Sequence, residues 1–293
     1  MPQSPNIFNR SLLRARQRRA RSLGPETFLL DRVAGELSDR LAVVLRQFER
    51  AVDLGTPTNT LCRALAAGGK VAGIVSASVQ SGVNVAVDEE ALPFADASLD
   101  LVVSALALQF VNDLPGTLIQ IRRALKPDGL LLAALIGGES LTELRAAFAQ
   151  AESEIEGGVS PRVAPFADVR EMGALLQRAG FALPVVDSDR LTVRYRTVLD
   201  LMRDLRRMGA TNVLHERRRA PLKRATLQRL AEIYAQRFAD VDGRLRATFD
   251  IVWLSGWAPH ENQQKPLRPG SATHRLADAL GTREIPAGEK PSG

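Results

Sequence analysis

Between residues 50 and 157 short apolar runs alternate with amphipathic segments, and that alternation restricts the fold more than any other feature. The runs are AVDLG (51–55), KVAGIVSAS (70–78), VNVAVDEEALPF (83–94), LDLVVSA (99–105) and LLLAALIG (130–137). LDLVVSA is nearly all apolar, as a strand buried on both faces must be. The spacing predicts helices over 59–67, over LPGTLIQIRRALKPDG (114–129) and over SLTELRAAFAQAESEI (140–155). The second should stop at Pro127 and Gly129, and the third should start at a Ser140–Glu143 capping box. Strand and helix in strict turn imply right-handed βαβ units on a parallel sheet, with ligands at the carboxyl ends of the strands.

The flanks elaborate this unit. Residues 26–48 carry apolar side chains at helical spacing, and GGVSPRVAPF (157–166) is a Gly/Pro-rich connection. Beyond it come a helix over 168–180, an alternating strand at LTVRYRT (191–197), and helices over 198–210 and 222–240. TFDIVWLSGWA (248–258) should return to the sheet, with Trp253 and Trp257 on one face as core residues. The expectation is a doubly wound, Rossmann-like α/β domain of seven strands over 25–280. It carries a basic N-terminal arm (1–24), a helical insertion at about 184–240 and a disordered tail (281–293).

Charge is uneven. Arg10, Arg14, Arg16, Arg18, Arg19 and Arg21 lie in a stretch without a single acid, and they account for the whole net charge of +6. The arm reads as a solvated helix, a transit peptide or a docking surface for an acidic partner. No aromatic residue interleaves with these arginines, so nucleic acid is not expected as a partner. HERRRAPLKR (215–224) is a second basic patch, a solvated face or a dock for an acidic protein. The single Cys62 excludes an internal disulfide or a cysteine-built metal site. Neither a spanning helix nor a secretory signal is evident.

AVDLGTPTN (51–59) resembles the first strand and turn of a nucleotide-binding fold with two glycines missing. Such a site needs a tight turn, an acid after strand two for the ribose, and a polar group after strand three for adenine. Gly55 supplies the turn, and Asn59 tolerates left-handed backbone. Pro57 fixes its own φ and restricts Thr56. Strand two ends in Ser76 and Ser78 without a carboxylate, and Asp88, Glu89 and Glu90 follow strand three. The residues expected to face an adenosyl cofactor are therefore Asp53, Gly55, Thr56, Asn59, Ser76, Asp88, Glu89 and Ser104.

The segment VDEEALPFADASLDLVVSALALQFVNDLPGTLIQIRRALKPDGLLLAAL (87–135) resembles class I S-adenosyl-L-methionine-dependent methyltransferases, near the malonyl-carrier-protein methyltransferase branch. Further motifs are similar to the respiratory complex I assembly factor that acts as a protein arginine hydroxylase. They are NIFNRSLLRARQRRAR (6–21), GGESLTELR (137–145), AESEIEGGVSPRVAPF (151–166), LMRDLRRMGATN (201–212) and GW..HE.Q..P...GSAT (256–273). The resemblance implies a methyltransferase-like fold, S-adenosyl-L-methionine as cofactor, and assistance to complex I assembly. It also implies hydroxylation of an arginine on the iron–sulfur subunit beside the quinone site. The weak first turn and the absent ribose acid depart from ordinary methyltransferases and count against methyl transfer more than against the family; methyl transfer to a small molecule or carrier protein is the second possibility, and client-holding without catalysis the third. The chain starts almost at the family's first motif, so the expectation is a bacterial cytoplasmic protein, with a peripheral place on the inner membrane left open.

Hydroxylation needs an oxidant, but His215, His260 and His274, with Glu261 beside His260, match no iron-ligand spacing, and no metal site is expected. Carboxylates suit a substrate guanidinium, and Asp88, Glu89, Glu90, Glu139 and Glu143 lie near the ligand-bearing edge. Gln109, Phe110 and Glu139 are the candidates for the catalytic pocket; Phe110 serves equally well as core.

Overall fold

A computed structural model describes residues 6–79, 84–166, 168–264 and 275–283. Residues Met1–Pro259 form one compact unit. Its sheet runs in the order β3-β2-β1-β4-β5-β7-β6, with β1 Ala51–Leu54, β2 Ile74–Ser78, β3 Val85–Ala86, β4 Leu99–Ala105 and β5 Leu125–Ile136. β6 Ala182–Tyr195 and β7 Leu245–Trp257 complete it. β1 to β5 are parallel, and β7 runs antiparallel to both β5 and β6. The strand order reverses at β1, so a crevice opens between the carboxyl ends of β1 and β4.

Side-chain alternation builds two cores. Leu101, Val103, Leu130 and Leu132 point to one face, where α2 (Phe28–Ala42), α3 (Thr60–Ala67), α5 (Thr142–Glu156), α7 (Val198–Arg207) and α8 (Arg224–Phe238) pack. Val102, Leu131 and Ala133 point to the other, against α4 (Leu114–Ala124) and α6 (Val169–Arg178). Trp253 is buried in the first core with the Arg40 guanidinium 4.6 Å from its ring, and Trp257 packs against the same core.

Several elements differ from the sequence expectation. The helix expected over 26–48 ends at Ala42, and Phe48 bridges Val71 beside the sheet. α4 stops at Ala124, and the LKPDG stretch already belongs to β5, where Leu99 pairs with Leu125. The strand expected at 191–197 begins earlier, at Ala182, so that the opening of the supposed helical insertion is also strand, paired with β7. Ser140 and Glu143 form no capping box: Leu141 starts α5 in the left-handed region at φ 56°. The Ser140 hydroxyl bonds the Asp250 backbone, and Glu143 accepts from Thr248 N and Oγ1. Both side chains fasten α5 to β7.

The basic arm is α1 (Arg10–Ser22), capped by Asn9 and docked through buried Leu13 and Ala20. The second unit, His260–Gly293, contains a turn at His260–Gln263 and the short helix α9 Leu276–Leu280, ended by left-handed Gly281. His274 and most of the expected tail lie outside the described residues. Among the described residues no helix is long and apolar enough to cross a membrane.

Candidate functional site

The turn after β1 is built around Gly55, whose φ of 77° suits glycine and whose N–H donates to Ala77 O at 2.8 Å. A Cβ at position 55 would come within 3.0 Å of Ala107 Cβ and 3.2 Å of Glu89 Cγ and Oε1. The close-approach turn expected from the sequence is therefore present. Asn59 does not share it: its φ is −83°, and its side chain is exposed and caps nothing.

Most of the polar residues expected on this edge already have internal partners. Asp53 is 2 % exposed; it accepts from the Thr56 hydroxyl and from Cys62 Sγ at 3.3 Å. Burial pushes its carboxyl up to about 6, although both donors act against the shift. Thr56 Oγ1 also accepts from Ala105 N at 3.0 Å. Ser104 is fully buried and donates to Leu54 O at 2.7 Å. Ser76 is occupied by Asn84 through three hydrogen bonds of 2.9–3.1 Å involving its amide and hydroxyl. Asp53, Thr56, Ser76 and Ser104 thus brace β1, β2 and β4 through internal hydrogen bonds. Gly55 and Glu89 line the crevice, and Asp88 precedes Glu89 in the chain.

Asp88, Glu89 and Glu90 are paired with α1. Arg10 Nη1 lies 3.0 Å from Asp88 Oδ1 and 2.8 Å from Glu90 Oε1, Arg10 Nη2 contacts Glu89 Oε2, and Arg14 Nη2 is 2.7 Å from Asp88 Oδ2. Burial works to raise Asp88, but the Glu90 amide, Arg10 and Arg14 outweigh it and hold the carboxyl below its usual range. At Glu89 burial prevails and keeps the carboxyl above its usual range, despite Arg10.

On the other side of the turn lies the main cleft, with about 90 Å³ of water-accessible volume. Pro57, Thr58, Leu106 and Leu141 floor it, Gln109 and Phe110 stand in its wall, and α1, α2 and α7 cover it. Leu106 and Leu141 both hold left-handed backbone, at φ 53° and 56°. Strain of this kind at non-glycine residues concentrates at functional sites. Gln109 Nε2 donates to Leu106 O at 2.8 Å, whereas its buried Oε1 has no partner among the described residues. Phe110 is buried, meets Phe8 edge-on at 5.7 Å and lines the cleft. Glu139 does not reach the cleft; its side chain is 63 % exposed and faces Arg190 at 3.8 Å. Glu26, which the sequence did not single out, is a carboxylate on the cleft wall.

Among the described residues no group of three or more His, Cys, Asp or Glu is arranged to hold a metal. His215 is exposed and engaged through its backbone N–H with Ile7 O, and the His260 imidazole accepts from Asn262 N at 3.2 Å. In the second basic patch Arg218 and Lys223 are paired with Glu156, which ties the patch to α5.

A methyltransferase domain family matches residues 41–133. Over 94 % of its length the chain is 38 % identical to the mitochondrial arginine-hydroxylase NDUFAF5 of Danio rerio, 90 % of which it covers. Against the protein of that name from Homo sapiens it is 40 % identical over 93 % of its length, covering 83 % of that protein. In structure it resembles a candidate methyltransferase from Bacillus halodurans, with a TM-score of 0.52 at 18 % identity, across 78 % of this chain and 99 % of the other.

Proposed function

The chain belongs to the family of the arginine hydroxylases NDUFAF5, and from that premise we propose that it is an assembly factor that hydroxylates an arginine of a respiratory complex I subunit. The finer reading places that arginine on the iron–sulfur subunit beside the quinone site. The observation that carries the proposal is the chemistry of the main cleft. An arginine side chain is an apolar stem ending in a planar fork of five N–H donors and no acceptor. Apolar residues, leucine, proline and phenylalanine foremost among them, line most of the cleft, which suits the stem, while Gln109 Oε1 is an acceptor on its wall and Glu26 a second that a substrate guanidinium would share with Arg207, 3.7 Å away. Phe110 offers a ring against which a guanidinium can rest.

Hydroxylation inserts one oxygen atom into a carbon–hydrogen bond, a two-electron oxidation; with dioxygen as the external oxidant, the second oxygen atom leaves as water, taking two electrons and two protons from an external reductant. The part assigned to this chain is to bind the arginine, orient it and exclude water. S-adenosyl-L-methionine, when bound, supplies an electrophilic carbon on sulfur. Gly55, whose backbone allows close approach, and the Asp88 and Glu89 carboxylates would hold it. With Ser76 committed to Asn84, Asp53 to Thr56 and no acid on β2, Glu89, which lies against Gly55, is the carboxylate that would take the ribose hydroxyls.

The test is mass spectrometry of the complex I iron–sulfur subunit from cells lacking this protein, complemented with wild type or Gln109→Ala. Wild type should restore a gain of one oxygen on an arginine, and Gln109→Ala should lower the modified fraction. Assembly restored without any oxygen gain would refute the hydroxylase reading in favour of client-holding. A gain of one methyl group would refute it in favour of methyl transfer.

A further inference from the structure

α1 lies across the crevice between β1 and β4, where the adenosyl ligand of the proposed function would sit. Leu13, Arg14 and Gln17 on α1 line one space with Gly55, Glu89 and Ala107 from the loops after β1, β3 and β4. The space between them holds only about 20 Å³ of water-accessible volume, room for about one water molecule. The contact is electrostatic at its centre. Three consecutive carboxylates, Asp88, Glu89 and Glu90, surround the Arg10 guanidinium, whose side chain is 13 % exposed. Arg10 Nη1 stands within ion-pair distance of Asp88 and Glu90 but in hydrogen-bond geometry with neither. Arg14 adds a second tie to Asp88. Glu89, the carboxylate against the turn glycine, is thus occupied by a cation from the chain's own arm.

The arm is also fixed at its ends. Phe8 exchanges hydrogen bonds with the Asn112 side chain at 2.8 and 3.2 Å, Asn9 N donates to Val213 O at 2.8 Å, and Glu26 N donates to Arg207 O at 3.2 Å. These ties are distinct from the ion pairs, so the pairs can part while the arm stays attached.

We propose that α1 is a strap closed over the Gly55 turn, locked by Arg10 on Asp88, Glu89 and Glu90 and by Arg14 on Asp88, and that an adenosyl ligand enters only when these pairs part and it replaces Arg10 on Glu89. The proposal rests on the reading that this turn serves such a ligand. It gives the arm's arginines a task inside the molecule, as an intramolecular competitor for the carboxylate that the ligand needs.

The experiment is calorimetric titration of the full chain with S-adenosyl-L-methionine, wild type against Arg10→Met, which keeps the buried stem and removes the charge. Apparent affinity scales with the fraction of open molecules, so a lock that leaves about a tenth of them open predicts roughly tenfold tighter binding by Arg10→Met. Equal or weaker binding by the variant overturns the strap and leaves the cofactor reading standing. Absence of binding in both overturns the cofactor reading, and the strap with it. Should Arg10→Met fail to fold, hydrogen exchange of the unmodified protein decides. Saturating ligand should speed exchange across residues 13–20; unchanged or slower exchange there overturns the proposal.

Discussion

Asp53→Asn isolates the cost of a single buried carboxylate at the end of β1. The side chain is 2 % exposed, and its hydrogen-bond donors are the neutral Thr56 hydroxyl and Cys62 thiol. Burial therefore disfavours the ionised form and moves the carboxyl from 3.8 to about 6. A raised carboxyl pKa contributes stability that is fully present below the unfolded value and is lost as pH rises through the folded value. A shift of about two units at ~1.4 kcal/mol each makes the loss about 3 kcal/mol by pH 7. Asparagine keeps an oxygen for Thr56 and turns its amide toward Cys62 Sγ, a weak acceptor, so the local bonding survives. Urea unfolding of both proteins across a pH series should give a gap that is small near pH 4, widens to about 3 kcal/mol in favour of Asp53→Asn by pH 7, and then stays level. A gap independent of pH would refute the assignment, since only titration of residue 53 separates the two curves.

Gly55→Ala forces a side chain onto left-handed backbone 3.0 Å from Ala107 Cβ. It should cost about 1–3 kcal/mol in thermal unfolding and weaken binding of S-adenosyl-L-methionine. Glu152 is fully buried and accepts from Ser160 N at 2.7 Å and from Arg162 Nε at 2.7 Å. Glu152→Ala should cost about 3–5 kcal/mol in chemical denaturation by leaving Arg162 uncompensated. Burial acts to raise the Glu152 carboxyl, but Ser160 and Arg162 outweigh it and hold the group below its usual range, so its contribution should disappear as pH falls through that lowered value. Burial first, and then Asp53, push the Cys62 thiol up to about 12. Alkylation by iodoacetamide at pH 8 should be slow in the wild type and faster in Asp53→Asn, with labelling followed by mass spectrometry.

The sheet was legible in the sequence because each βαβ unit is local and its apolar period is unambiguous. β4 and β5 read as continuous apolar runs because both of their faces are covered. The edge strand β6 was legible only in its second half, LTVRYRT: its N-terminal half alternates half-buried with exposed positions, and pairing with β7 is what identifies that half as sheet. Ser140 and Glu143 show the limit of a local motif. Spacing of i and i+3 is the same whether the side chains turn back on the helix or reach across to Asp250 and Thr248, and left-handed Leu141 decides for the second. The turn posed a related problem. A polar residue at a strand end can face a ligand or brace the neighbouring strand, and the sequence does not say which. Asp53, Ser76 and Ser104 brace; Glu89 stays at the crevice.

The arginines of the arm were conspicuous in the sequence, but their partners lie 74 and 79 residues away, beyond the range of any local pattern. Their position relates the two spaces around the turn. Gln17 on α1 and Phe110 after β4 line both the main cleft and the small space above Gly55. Phe8, next to α1, meets Phe110 edge-on at 87°, so the aromatic wall of the main cleft is held in part by the arm. A displacement of α1 that admits a ligand beside Gly55 therefore moves residues that also shape the cleft assigned to the substrate arginine. Coupling through a shared element is reciprocal: whatever affinity one ligand gains when the arm shifts, the other must gain by the same factor. On this geometry the arm belongs to the site itself, and a fragment beginning at α2 would lack a wall of both spaces.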